Sequence, residues 1–304
     1  MAKFIKKHLK YSQKNIRCPL CEAIVVDINY TYFENGRHSD FFSCGDCSFI
    51  FAVPELIENI NDRQMDSIDD AELFNSQFLK KLHTQLFLKK EIRKIKKHSI
   101  INQTKLLDVG CGSGWTSNVY SKSGFDVTGL EPSIIRADIA KNKYKLKIIN
   151  NYIENITNTE KFNFVVLRHF IEHISSPKAI IRRVNTFLLK DGIVIIVVPN
   201  INCLGRYLFE TDWTWVHPWH CSFFSPKSAR VILEQSGFKV LECYQTPSPL
   251  YFMESFLRKL SSKRLTIFFQ KNPFLSKIIS TFFSVIGTAS GLGDNITIIA
   301  RKVD

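Results

Sequence analysis

Apolar and polar positions along this chain fall into distinct regimes. From Lys105 onward, short apolar runs of strand length alternate with segments whose apolar residues recur at helical spacing, the signature of a parallel sheet wrapped by helices. These runs predict strands over 105–109, 126–131, 146–149, 162–167, 193–198, 240–244 and 295–300, the fifth introduced by the turn Asp191-Gly192. Upstream, residues 56–98 read as a helical linker, in which Leu73, Phe74, Phe78, Leu82, Leu86 and Ile92 recur at helical spacing and a basic stretch runs from Lys89 to Lys97. Residues 1–55 show no helical period and form a separate small module. Between the last two strands, residues 249–290 interleave apolar and basic positions, which predicts one or two amphipathic helices broken at Pro273. Packing against the sheet edge or a second copy is the ordinary fate of such a face; rest on an acidic membrane surface is the other. The expected fold is therefore α/β, a doubly wound, seven-stranded, mostly parallel Rossmann-like sheet over 99–304.

Composition narrows this little. At 304 residues, 45% apolar and 23% charged, the chain supports one medium-sized domain with an appendage. The balance of 41 Lys+Arg against 28 Asp+Glu leaves +13, which attracts anions: nucleic acid, acidic headgroups or phosphorylated small molecules. No apolar run reaches the roughly 18 residues of a spanning helix, and the basic amino terminus lacks a signal-peptide core. Thiols rather than disulfides are then expected, which points to the cytoplasm, with peripheral contact on the inner face of the membrane through 249–290 as an extension.

The turn Asp108-Val109-Gly110-Cys111-Gly112-Ser113-Gly114 carries most of the functional signal. Glycines accept positive φ and let backbone approach a ligand, and the helix expected from about Trp115 turns its free N–H groups toward that turn. Glu131, closing the second strand, suits a ribose diol. A dinucleotide dehydrogenase would need G-x-G-x-x-G and room for a pyrophosphate. Here the spacing is G-x-G-x-G, and Asp108 would repel a pyrophosphate while accepting hydrogen bonds from a cationic amino-acid ligand.

From about Lys105 to Lys302 the chain resembles a class I, seven-stranded S-adenosylmethionine-dependent methyltransferase, of the branch that includes ubiquinone-type and polysaccharide-cluster enzymes. The ordered segments LDVGCGSG, GLEPS, FNFVVLRHFIEHISSP, LLKDGIVIIVVPN and HPWHCSFFSP carry the resemblance. It implies a final strand antiparallel to the others. It implies Asp108, Gly110, Gly112 and Gly114 around the cofactor's methionine end with His169 nearby, Glu131 on its ribose, and Asn151 and Tyr152 near its adenine.

Two histidine groups are candidates for the chemistry. His169, Glu172 and His173 follow the fourth strand and would face one way if a helix begins there; catalysis, a divalent cation and simple capping of that helix all remain open. The second group is His217 and His220 in the tryptophan-rich loop 212–220, where His220 is the preferred base and the loop is expected to cover the site.

Cys18-x-x-Cys21 and Cys44-x-x-Cys47 suit a closed, structural, tetrahedral zinc site better than a redox dithiol or a nucleic-acid contact. Cys111, Cys203, Cys221 and Cys243 show no ligand spacing and read as packing. Methyltransferases of the polysaccharide branch begin with a similar zinc ribbon, and sugar C-methyltransferases add a large carboxyl-terminal domain with no counterpart here. The expectation is thus a methyltransferase acting on a sugar oxygen in surface glycan synthesis, with a small-molecule, sugar-nucleotide or lipid-linked acceptor. A small aromatic or isoprenoid acceptor is the alternative. An RNA-binding or RNA-modifying role is disfavoured, because the basic residues are spread along the chain and do not cluster with base-stacking aromatics.

Overall fold

A computed structural model describes residues 3–10, 16–25, 27–34, 37–53, 87–99, 104–157, 160–216, 220–260 and 262–303. The helical periodicity expected over Leu73 to Leu86, together with His217 and Trp219, lies outside the described residues. In chain order the elements are β1 (Lys3–Lys10), β2 (Ile16–Arg17), β3 (Ile24–Val25), β4 (Asp27–Glu34), β5 (Arg37–Ser43) and β6 (Ile50–Val53), then α1 (Lys89–His98), β7 (Lys105–Val109), α2 (Trp115–Lys122) and β8 (Asp126–Leu130). There follow α3 (Ile134–Tyr144), β9 (Lys147–Ile149), β10 (Phe162–Arg168), α4 (Pro177–Phe187), β11 (Leu188–Pro199), α5 (Leu204–Phe209) and β12 (Ser222–Phe223). The last are α6 (Pro226–Glu234), β13 (Phe238–Thr246), α7 (Pro249–Lys259), α8 (Lys263–Lys271), α9 (Pro273–Ala289) and β14 (Asn295–Lys302).

The seven-stranded sheet has the order β13-β14-β11-β10-β7-β8-β9. Neighbours from β11 to β9 are parallel, and β14 runs antiparallel to both β11 and β13. Because successive residues of a strand point to opposite faces, Leu106, Val166 and Ile195 meet α1 and α2 on one side. Leu107, Val165 and Ile196 meet α4 and α6 on the other. Both faces are covered, which is why the central strands read as continuous apolar runs. The turn at Asp191-Gly192 bulges out of β11, where the pairing jumps from Leu188 to Ile193.

The cysteine-bearing region shares this core: Cys18, Leu20, Phe42 and Phe49 belong to the same buried cluster as Leu107 and Ile180. Its sheet, ordered β1-β4-β5-β6-β12, is completed by a strand from the second half of the chain, Ser222 and Phe223 pairing with Phe51 and Ile50. Phe49 packs on Phe224 with ring centroids 5.0 Å apart, a tilted aromatic contact worth about 0.5–1.5 kcal/mol beyond its buried area.

Two expectations change. The segment after β10 is no α-helix: a single 3-10 turn covers Ile171–His173 and α4 begins only at Pro177, a residue that suits a first helical turn. The insertion before β14 holds three helices rather than one or two, and α9 buries a face of Ser276, Ser280, Ser284 and Gly287 while its large apolar residues point outward.

Candidate active site

Gly110, Gly112 and Gly114 all take left-handed conformations, with φ of 69°, 55° and 80°. Gly114 caps α2, and the N–H groups of Gly110 and Cys111 both donate to the carbonyl of Leu130, at 2.8 and 3.1 Å, tying the turn to the end of β8. The three glycines serve different ends. A Cβ at Gly110 would lie 2.6 Å from the Phe170 ring, and one at Gly114 would lie 2.7 Å from Ala140 Cβ. One at Gly112 would meet nothing within 4 Å. Gly112 is therefore the position where the turn is open to a ligand rather than closed on protein.

That turn forms one wall of a cavity of about 750 Å3, whose other walls come from α1, the end of β10, and the helices α7, α8 and α9. Of the residues singled out in the sequence, Gly110, Gly112 and His169 line it. Asp108 does not: it is buried beneath the turn, accepting a 2.5 Å hydrogen bond from the Ser117 hydroxyl, and burial lifts its carboxyl to about 6. Glu131 is also buried, its two oxygens accepting from the N–H groups of Gly112 (2.9 Å) and Ser133 (3.0 Å), and burial raises its pKa against those two bonds. Asn151 and the exposed Tyr152 stand beyond β9 at the same carboxyl edge, outside the cavity wall.

His169 takes φ 49°. Its backbone N–H donates to Val197 (2.8 Å), its Nδ1 lies 3.3 Å from Glu172 Oε1, and its ring stacks on Trp215 at 5.0 Å and 12°. Trp215 in turn stacks on His220, whose Nδ1–H donates to the Trp215 carbonyl at 2.8 Å. Glu172, His173 and His220 come together with ligating atoms within 4.8 Å of one another, behind Trp215 and off the cavity wall. Glu172 is 1% exposed and its Oε2 has no hydrogen-bond partner among the described residues, whereas Cys221 N–H holds its backbone carbonyl at 2.9 Å. Of the tryptophan loop, Trp213 and Trp215 are buried and stand off the cavity wall, Trp215 meeting it through the ring of His169.

One group escaped the sequence reading. Glu91 of α1 is buried and receives both the Tyr120 hydroxyl and Arg168 Nη2, the latter at 2.7 and 2.6 Å from its two oxygens. Glu91 and Arg168 both line the cavity. The signal was faint: a lone acid inside the basic stretch from Lys89, adjacent to the buried Ile92.

The four cysteines of the amino-terminal region sit at the corners of a compact cluster. Cys18 and Cys47 Sγ are 3.6 Å apart, Cys21 and Cys44 3.5 Å, and all four lie within 4.8 Å. Tetrahedral Zn–S bonds of ~2.3 Å require S···S edges of ~3.8 Å, so the donor set fits zinc. The two halves are built alike: Glu22 and Ser48 take φ of 65° and 59°, and their N–H groups donate to Cys18 and Cys44 at 2.9 and 2.8 Å. The thiol of Cys47 hydrogen-bonds Cys18 and pulls its pKa down to about 5. No disulfide joins them, and Cys111, Cys203 and Cys221 are buried thiols, the last donating to the His173 carbonyl at 3.2 Å.

A family model described as a methyltransferase domain matches residues 71–243. Among curated proteins, the ubiquinone biosynthesis O-methyltransferase of Actinobacillus pleuropneumoniae serotype 7 is 30% identical over 107 residues, 32% of this chain and 46% of that protein. The protein of the same name from Rickettsia bellii is 27% identical over 165 residues, 50% of this chain and 68% of that one. The chain thus spans about half the length of the first of these relatives. Among solved structures, a SAM-dependent methyltransferase from Thermotoga maritima superposes with a TM-score of 0.51 at 17% identity, covering 78% of this chain and 97% of that one. The plantazolicin methyltransferase, solved in complex with SAH, gives 0.50 at 14% identity over 82% and 93%. These two share the fold.

Proposed function

The chain belongs to the methyltransferase-domain family whose model it matches, and we propose that it moves a methyl group from S-adenosylmethionine to a hydroxyl oxygen of an acceptor held against His169. The observation that carries this reading is a single cavity walled by both the open glycine turn and a histidine backed by a buried carboxylate. When bound, the cofactor supplies an electrophilic methyl group on a sulfonium. Gly112 leaves space for it, Asp108 lies one layer beneath to attract its cationic end, and Glu131, Asn151 and Tyr152 follow along the carboxyl edge toward ribose and adenine.

His169 is the histidine on the cavity wall among the described residues. With Nδ1–H directed at Glu172, its Nε2 is left to take the proton from the acceptor hydroxyl as that oxygen gains the methyl group. Glu172 steadies the resulting imidazolium, and the stacked Trp215 fixes the ring plane. His173 and His220, behind Trp215, support this loop and do not touch the acceptor. The wall contributed by Tyr244, Tyr251 and Phe269 excludes water and suits an aromatic or isoprenoid body. That wall favours such an acceptor over the sugar of a surface glycan, and the two curated relatives are ubiquinone biosynthesis O-methyltransferases. The four cysteines hold a structural zinc ion in this reading.

The test is a labelled-methyl assay on two acceptors, a phenol bearing a short prenyl tail and a nucleotide sugar, with the wild type and His169→Gln. Transfer to the phenol is expected, with kcat in the variant falling about 10²–10⁴-fold while calorimetric cofactor affinity holds. Unchanged kcat would remove His169 from the chemistry, and methylation of the sugar alone would restore the glycan acceptor.

A further inference from the structure

Helix α9 is built inside out. Its buried stripe is Ser276, Ser280, Ser284 and Gly287, small residues whose hydroxyls are satisfied within the protein: Ser276 donates to Phe269 O at 2.7 Å and Ser284 to Asp294. Gly287 allows close approach, since a Cβ there would lie 3.0 Å from Leu204 Cβ. The opposite stripe, at the same spacing, is Phe274, Ile278 and Phe282, exposed by 77, 51 and 59%. The preceding α8 has no buried residue and adds exposed Ile267 and Phe268. A contiguous apolar face of this kind marks an interaction surface.

Charge identifies the partner. From 255 to 293 the chain has no Asp or Glu and carries Arg258, Lys259, Lys263, Arg264, Lys271 and Lys277. Arg258 and Lys259 are met by Glu254 and Asp212; Lys263, Arg264 and Lys271 are exposed on α8, three or four residues from the exposed Ile267 and Phe268. Two copies of this face meeting about a two-fold axis would press cationic rims together, which opposes self-association. An anionic bilayer accepts both parts at once, headgroups against the lysines and arginines, acyl chains against the phenylalanines. At 17 residues α9 is about 25 Å long, and no described helix is long and apolar enough to cross a membrane, so the face lies in the interface plane.

We infer that the outward face of α8 and α9 docks the protein on an anionic lipid surface. The inner side of the same helices, at Phe269, Ser276 and Ser280, lines the large cavity. Docking therefore places the cavity at the membrane, where an acceptor with an apolar tail resides; this consequence, though not the docking itself, rests on the methyltransferase reading.

The experiment is vesicle flotation of the full chain with phosphatidylcholine vesicles and with phosphatidylcholine–phosphatidylglycerol vesicles, alongside calorimetry with S-adenosylhomocysteine. Wild type is expected to float with the mixed vesicles and far less with the neutral ones. Phe274→Ser with Phe282→Ser should weaken that partition about tenfold or more at an unchanged thermal midpoint and unchanged nucleoside affinity. Lys263→Glu with Arg264→Glu should abolish the preference for anionic lipid. Undiminished flotation of either variant would overturn the inference. So would a wild type that floats with neither vesicle, or one that is a dimer which the phenylalanine substitutions convert to monomer. Flotation without nucleoside binding would leave the surface standing and sink the methyltransferase reading.

Discussion

Asp108 is asked to be charged in a place that disfavours charge. Burial lifts its pKa from 3.8 to about 6, and the Ser117 bond recovers only part of that cost. A carboxyl whose folded pKa lies above its unfolded value binds more protons folded than unfolded between the two, so its contribution to stability falls as pH rises from about 4 to 6 and is flat above. At about 1.4 kcal/mol per pH unit the ceiling is roughly 3 kcal/mol. Asp108→Asn should therefore be the more stable protein above pH 6, with the advantage fading toward pH 4, in paired urea titrations. Asp294, also held near 6 by burial, affects both proteins alike and cancels. The same substitution should weaken S-adenosylmethionine binding about tenfold, so gain of stability and loss of affinity are expected together; equal stability at every pH would show that the carboxylate is already solvated. The glycines separate ligand from packing in the same way. Gly112→Ala places a methyl group in open space at φ 55° and should cost only the ~1–2 kcal/mol of a left-handed residue, read as a modest drop in thermal midpoint, while cofactor affinity collapses. Gly114→Ala drives the same methyl group into Ala140 and Leu146 and should cost more stability than Gly112→Ala in the same thermal scans.

Helix α1 shows how an element's role can hide in its own composition. Its surface is basic, and from the sequence it reads as a solvated cationic stretch, yet its one acid is the residue that turns inward. Glu91 meets Arg168 from β10 and Tyr120 from α2, so a single carboxylate joins the amino-terminal helix to the edge of the sheet where the cavity opens. Partners 77 residues apart leave no local pattern, which is why this pair was invisible while Asp108 and Glu131, within 25 residues of one another, were legible. Glu91→Ala strands a buried guanidinium and should destabilise the fold by about 3–5 kcal/mol in chemical denaturation. Adding Arg168→Met should return most of that loss, because two apolar groups replace two charges. If the double variant is no better than the single one, the cost lies in packing around α1 and not in the orphaned cation.

At the scale of the molecule, the central strands of the sheet were legible because strands buried on both faces are unbroken apolar runs, and the glycine turn because its geometry is local. The completion of the cysteine module by β12 was not, since a two-residue strand has no period and its partner lies some 170 positions away. That junction gives the module a mechanical reach. The Cys44 N–H donates to Phe49 at 2.9 Å, Phe49 packs on Phe224, and β6 pairs with β12. Cys221, just ahead of β12, then holds the Glu172 carbonyl, and Glu172 faces His169. A zinc ion on the four sulfurs would fix the two left-handed knuckles at the start of this chain of contacts; without a metal, four thiols crowded within 4.8 Å would have no common partner to hold them. Stripping zinc from the full chain should therefore raise amide exchange at 40–53 and at 220–224 together, while 105–109 and 193–198, in the middle of the doubly covered sheet, stay protected. Methyl transfer should fall in parallel, with cofactor affinity little changed, because the glycine turn is anchored to β8 and not to the module. Exchange that rises at 40–53 alone would mean the module is an appendage whose metal has no bearing on the histidine wall.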